Sequence, residues 1–226
     1  MSNYFTSIFA VATLGIAITL FPACDGLFDD MYDNGKTSDN NGKNSSEGKI
    51  RQFSIDATEY TQWQYVDLEN DEISFVTSLI ENDTTETGVP DKWTIALHRY
   101  DVKTNNCTVA PTDYQSVSEL AEAVSADKSA LEQLDYKADI FTDKKITIDM
   151  SHMMEGRIGY AKSYYNEVIS SWLNIDMSVM PPIYSMTHTI FVLKTSNGRF
   201  FALNLVNYMN DKSEKGYMTV EYARLD

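Results

Sequence analysis

The residues of this chain best suited to chemistry are its methionines. Ten occur in 226 residues, against three histidines and two cysteines. Met150, His152, Met153 and Met154 crowd into one short stretch, and Met177 and Met180 form a second group. A thioether sulfur is a soft, neutral, polarizable donor that suits a soft metal centre. Methionine is equally a flexible filler of cores, so the cluster by itself leaves ligation and packing both open. His98, His152 and His188 are too few and too dispersed for a catalytic or zinc motif. No CxxC or Cys/His constellation occurs. GxSxG, HExxH, P-loop and GxGxxG patterns are absent, and no carboxylate pair can be assigned acid–base roles. The chain does not read as an enzyme.

The elements that must position these donors are mostly strands. Aromatic and β-branched runs stand at 62–68 (QWQYVDL), 72–79 (EISFVTSL), 93–100 (WTIALHRY), 145–150 (KITIDM), 189–194 (TIFVLK), 199–208 (RFFALNLVNY) and 215–222 (KGYMTVEY). Ser196-Asn197-Gly198 is a hairpin turn signal between two of them. Residues 116–134 carry helical spacing, and 161–173 is expected to hold a short helix. No internal repeat is evident. Many short strands with few helices predict an all-β, sandwich-like domain of antiparallel sheets with short helical insertions. Ile146, Ile148 and Met150 share one strand face, which turns Met150 toward the core as the strand runs out. Met177 falls between Trp172 and Pro181-Pro182, where proline restricts its own φ and that of its predecessor.

The formal net charge is -15 at pH 7. A polyanion of this kind is repelled by nucleic-acid phosphates, so no nucleic-acid partner is expected. The amino terminus reads as an address. Residues 4–20 are dominated by apolar side chains without a charge, and the run ends at Ala23-Cys24. Its length suits a secretory signal and is short for a membrane span. A small residue before cysteine resembles the bacterial lipobox, although Phe21 and Pro22 and the lack of an early Lys or Arg depart from the usual pattern. Residues 1–23 are thus expected to be a lipoprotein signal peptide, and Cys24 the lipidated first residue of the mature chain. Residues 24–49 begin with Asp25, Asp29, Asp30 and Asp33, then continue as DNGKTSDNNGKNSSEGK. With no apolar residue to bury from 33 to 49, this part is expected to be a disordered tether for the domain at 50–226.

Four segments of that domain resemble the HmuY-like family of haem-binding lipoproteins. They are WQYVDLENDE (63–72), WTIALHRYDVKTN (93–105), EVISSWL leading into PPIY (167–184), and KGYMTVEY (215–222). They occur in the family's order and span most of the domain. The resemblance implies an all-β fold with a haem cleft, and iron protoporphyrin IX as cofactor. It also implies host haemoproteins as donors, an outer-membrane haem receptor as acceptor, and lipid anchoring in the outer membrane facing outward. One branch of the family ligates iron through two histidines. Here Met177 stands where that branch has its second ligand, and no histidine lies between His152 and His188. The chain resembles instead the methionine-ligating branch.

On that resemblance Met150 and Met177 are the expected axial ligands. Met153, Met154 and His152 are alternatives to Met150, and Met180 is the alternative to Met177; these methionines are also expected to line the haem site. His98 and Cys107 are expected to be structural, and Arg99 and Asp101 to form an internal charged pair. Tyr164, Tyr165 and Tyr184 are near enough in sequence to stack by a porphyrin, whereas Met186 belongs to the core. Competing readings are a structural or adhesive surface lipoprotein that has lost the ligand, and a binder of another flat tetrapyrrole.

Overall fold

The computed structural model describes residues 49–70, 72–77 and 79–226, with 72–77 described through the backbone alone. The expected signal segment, Cys24 and nearly all of the tether lie outside these residues. Alternating side chains organise the rest. One sheet has six strands: β1 (Ile50–Asp56), β6 (Thr108–Pro111), β7 (Lys137–Ala138), β12 (Phe191–Lys194), β13 (Phe200–Met209) and β14 (Lys215–Arg224), in the order β1-β14-β13-β12-β6-β7. A second sheet has β2 (Gln62–Asp67), β3 (Glu72–Thr77), β4 (Ile95–His98) and β5 (Asp101–Thr104), in the order β3-β2-β4-β5. Within both sheets the pairing is antiparallel.

The main core lies between the inner faces of these sheets. Phe191 and Leu193 of β12 meet Ile95 and Leu97 of β4 in one buried cluster with Phe201, Leu203 and Val220. Val192, one residue out of phase, joins the opposite face. There it packs with Val117, Leu120 and Val124 of helix α1 (Val117–Ala126) and with Leu131 of α2 (Ser129–Glu132). The period of two thus gives both sheet faces an apolar lining, and each is covered by a different layer. Ser116 caps α1 by accepting the Glu119 amide at 3.1 Å. The single helical run expected over 116–134 is broken at Asp127, which accepts the Ser129 amide at 2.9 Å and starts a new turn.

Two further hairpins stand apart from the sheets. β8 (Ile140–Asp149) pairs with β9 (Gly159–Tyr165), and β10 (Leu173–Asp176) pairs with β11 (Ile183–Met186). The first covers the outer face of the four-stranded sheet, where Ile146 and Ala161 pack with Trp63, Tyr65 and Ala96. The helix expected within 161–173 is confined to α3 (Glu167–Ser170). Residues 161–165 belong instead to a strand, in which the small residues Gly159, Ala161 and Ser163 are buried at alternate positions.

Candidate functional site

The donor residues singled out by the sequence occupy the turns of these two hairpins. Met150 lies one residue past the end of β8, and Met177 one residue past the end of β10. Each continues the inward parity of its strand. On β8, Ile146 is fully buried and Ile148 packs against the same cluster. On β10, Leu173 is buried opposite Met186, and Ile175 faces Tyr184 across the ladder. Exposure rises along both faces toward the turns: Met150 is partly buried, and Met177 is 60 % exposed. Met186 packs on the main core, as expected.

The turns share more than position. Ile148-Asp149-Met150-Ser151-His152-Met153 and Ile175-Asp176-Met177-Ser178-Val179-Met180 differ only at the fifth residue. The expectation of no internal repeat therefore fails at this scale, because a six-residue motif is too short to register as a repeated unit of fold. In both copies the serine amide donates to the aspartate two residues earlier, at 2.8 Å. At Asp149 the Ser151 amide and then its hydroxyl hold the carboxyl below the usual carboxylate range. At Asp176 the Ser178 hydroxyl leads, followed by the amide, with the same direction.

The first turn closes further when the Met153 amide donates to the Met150 carbonyl at 3.0 Å, opening a short 3-10 turn over Met153–Glu155. His152 is half exposed, with Nδ1 3.5 Å from Glu155. Met154 and Met180 are among the most exposed apolar side chains, at 89 % and 75 %. Met150, His152, Met153 and Met154 are thus gathered in one turn, and Met177 and Met180 in the other.

Among the described residues, the hairpins also carry most of the large apolar side chains left exposed. Ile140, Phe141 and Tyr164 join Met154 on the first, and Ile175, Val179 and Ile183 join Met177 and Met180 on the second. Phe141 and Tyr164 form an edge-on pair with centroids 5.6 Å apart. Tyr165 packs on the core below, with Lys145 5.8 Å from its ring, and Tyr184 lies between Tyr100 and Tyr208. Exposed apolar side chains gathered in this way are of the kind that binding surfaces use. Two clefts elsewhere are polar; one is lined by Arg51, Glu69 and Arg224, and the other by Asp67, Asp91 and Asn105. Neither contains the turn methionines.

The family model described as HmuY protein matches residues 59–222. The chain belongs to the HmuY family. Among solved structures it is similar to a candidate lipoprotein from Bacteroides fragilis, at 41% identity and TM-score 0.69, covering 77% of this chain and 90% of that one. It is also similar to a candidate HmuY-like haem-binding protein from Bacteroides vulgatus, at 36% identity and TM-score 0.63, covering 80% and 94%. The apo HmuY analogue of Tannerella forsythia is 25% identical with TM-score 0.64, covering 78% and 95%. A search of curated proteins yields no match.

In this HmuY-family chain the stretch WTIALHRYD (93–101) reaches both hairpins at its end, through Tyr100 and Asp101. His98 is buried, with Nε2 2.7 Å from the Tyr60 carbonyl. Burial pushes its imidazole down to about 4, so the ring is neutral. The expected Arg99–Asp101 pair does not form. Arg99 takes a left-handed conformation (φ 54°) at the hairpin corner, lies 4.5 Å over the Tyr60 ring and donates to the Thr58 carbonyl at 2.7 Å. A Cβ on Gly216 would come within 2.8 Å of that guanidinium. Asp101 instead meets Lys145 of β8 at 3.3 Å.

The adjoining residues hold α3, which joins the two hairpins. The Asn166 amide donates to the Val102 carbonyl at 2.7 Å, and the Val102 amide to Ser170 Oγ at 2.9 Å. Sequence reasoning missed β5 as this junction; the only signal was that Asp101 and Val102 continue the family-like stretch. Cys107 is a buried thiol pushed up to about 12 by burial, with Sγ donating to the Asn105 carbonyl at 3.3 Å. It sits apart from both turns, among residues of β4–β6.

Proposed function

We propose that this chain is a haem-binding surface lipoprotein. The observation that carries this reading is the coincidence of thioethers and exposed apolar side chains on two hairpin ends, in a chain similar to a candidate haem-binding protein. Met150 and Met177 would hold the iron, with Met153, Met154 and Met180 bordering the porphyrin. The donor chemistry fits: neutral thioethers are accepted as axial haem ligands and favour the reduced metal. The apolar faces fit the macrocycle, whose burial removes its own and the hairpins' apolar surface from water. When bound, haem supplies the iron and the flat apolar body; the protein supplies two donors and two apolar hairpins.

In this reading the protein binds its ligand without transforming it. It takes haem from host haemoproteins and passes it to an outer-membrane receptor. Residues 1–23 direct export, Cys24 carries the lipid, and residues 24–49 tether the domain at 50–226 to the outer membrane, facing outward. The deciding experiment is a haemin titration followed by absorption, with and without dithionite. A sharp Soret band, with tighter binding to the reduced form, is expected. Failure to bind haem in either oxidation state overturns the proposal, and tighter ferric binding with a bis-histidine spectrum overturns methionine ligation.

A further inference from the structure

The duplicated Ile-Asp-Met-Ser-x-Met motif has a mechanical meaning that a ligand assignment alone does not supply. A methionine side chain has three rotatable bonds, so a thioether in an open turn is a poorly placed donor unless its backbone is fixed. In both turns one hydrogen bond of the same kind restrains the backbone at the methionine. The aspartate before the methionine accepts the amide of the serine after it, at 2.8 Å in each case. The methionine is the central residue of a closed Asx turn. The isoleucine two positions before it carries the strand's inward face up to that turn. Asx turns are general in this chain and also occur at Asp56–Thr58, Asp83–Thr85 and Asp127–Ser129. Among the described residues, only the copies at 149 and 176 have methionine at the centre and an inward-facing strand behind it.

Building on the haem-binding reading above, we infer that Asp149 and Asp176 are positioning residues, which hold Met150 and Met177 in matched turns before the ligand arrives. Neither aspartate touches the iron in this account. Each acts through the neighbouring methionine by cutting the backbone freedom that binding would otherwise have to remove. Two copies of one turn on two hairpins give both donors the same local preorganisation. The role needs the side-chain carbonyl as acceptor rather than its charge, so asparagine can replace aspartate.

The test compares Asp149→Ala, Asp176→Ala, Asp149→Asn and Asp176→Asn in the full chain. The first readout is haem-free: amide hydrogen exchange at Ser151 and Ser178. Each alanine variant should speed exchange at its own serine, and each asparagine variant should preserve protection. The second readout is haem loss from the reduced protein to apomyoglobin. Loss of one such hydrogen bond should accelerate release about tenfold in the alanine variants, while the asparagine variants stay within about twofold of wild type. The third is a double-mutant cycle. Asp176→Ala should add little to Met177→Ala, because it has no further donor to position. Alanine variants that release haem like wild type overturn the inference, as do asparagine variants that fail like alanine and a full additive loss in the cycle. These results leave the haem reading intact. If the wild-type chain takes up no haem, the haem reading falls, and the positioning role falls with it even if serine exchange responds as expected.

Discussion

The indole Nε1 of Trp172 donates to the carbonyl of Tyr100 at 2.8 Å, tying the root of β10 to the corner of the β4–β5 hairpin. Trp172 is among the largest fully buried side chains and lies in the main core. Tyr100 also meets Tyr184 of β11 with ring centroids 5.5 Å apart. One residue further on, Asp101 reaches Lys145 of β8. The β4–β5 corner therefore touches both methionine hairpins, and β5 holds α3, the segment between them. Placement of the two methionine turns on the domain thus depends on the core beneath them.

Trp172→Phe should reveal how much that joint contributes. The substitution keeps an aromatic ring but removes the donor, leaving the Tyr100 carbonyl without this partner, at a cost of about 1–3 kcal/mol. The expected result is a lower urea midpoint with an unchanged slope. Weakened haem binding should accompany it, because β10 loses its anchor. An unchanged midpoint would show that the bond has no net worth.

Asp101 gives a pH signature of defined sign. Burial raises its carboxyl from 3.8 to about 6, against the opposing pull of Lys145. A raised carboxyl binds more protons in the folded chain than in the unfolded one, so its contribution is fully present below pH 3.8 and lost as pH rises through about 6. The difference is worth roughly 3 kcal/mol. Asp101→Asn has no proton to lose. The stability of this variant relative to wild type should therefore rise between pH 4 and pH 7, as measured by urea unfolding at each pH. A flat difference across that window would remove Asp101 as its source.

The sheets were legible because burial on one or both faces writes itself into strands of ordinary length. The runs at 62–68, 189–194 and 215–222 all became strands of the two main sheets. The hairpin at Ser196-Asn197-Gly198 formed with Gly198 at φ 84°. What was not legible was small or one-sided. β10 exposes Asn174 and Asp176, so only Leu173 and Ile175 mark it as a strand. β9 buries glycine, alanine and serine, which carry almost no hydrophobic signal. The Arg99–Asp101 pairing failed because a positive φ at the corner sends Arg99 toward Thr58, which sequence proximity does not reveal. Both turns were legible as methionine clusters, whereas their shared motif is only six residues long and gains meaning from the hydrogen bond common to both.

Membrane attachment is tested at Cys24. The apolar run ending in Ala23-Cys24 motivates lipidation there. Cys24→Ala should shift the chain out of the lipid-anchored fraction or block its processing. Mass spectrometry of the wild-type amino terminus should find an acylated cysteine as first residue. An unmodified terminus would identify the segment as an ordinary signal or a retained anchor.

The ligand pair makes the sharpest demand on the turns. If Met150 and Met177 each supply one thioether, replacing either with alanine removes one donor and should move the reduced spectrum toward five-coordinate iron. Replacing both should weaken binding far more than either change alone, since only apolar contacts would remain. Met153→Ala and Met154→Ala are controls on the same turn; the exposure of Met154 leaves little packing to lose, so its spectrum and stability should stay close to wild type. Met180 is the informative neighbour. It occupies the last position of the second motif, three residues after Met177 and on the same turn. A Met177→Ala chain with an unaltered spectrum, combined with a Met180→Ala chain that loses a ligand, would move the assignment to Met180. By the symmetry of the motif, Met153 would then replace Met150 as the expected partner.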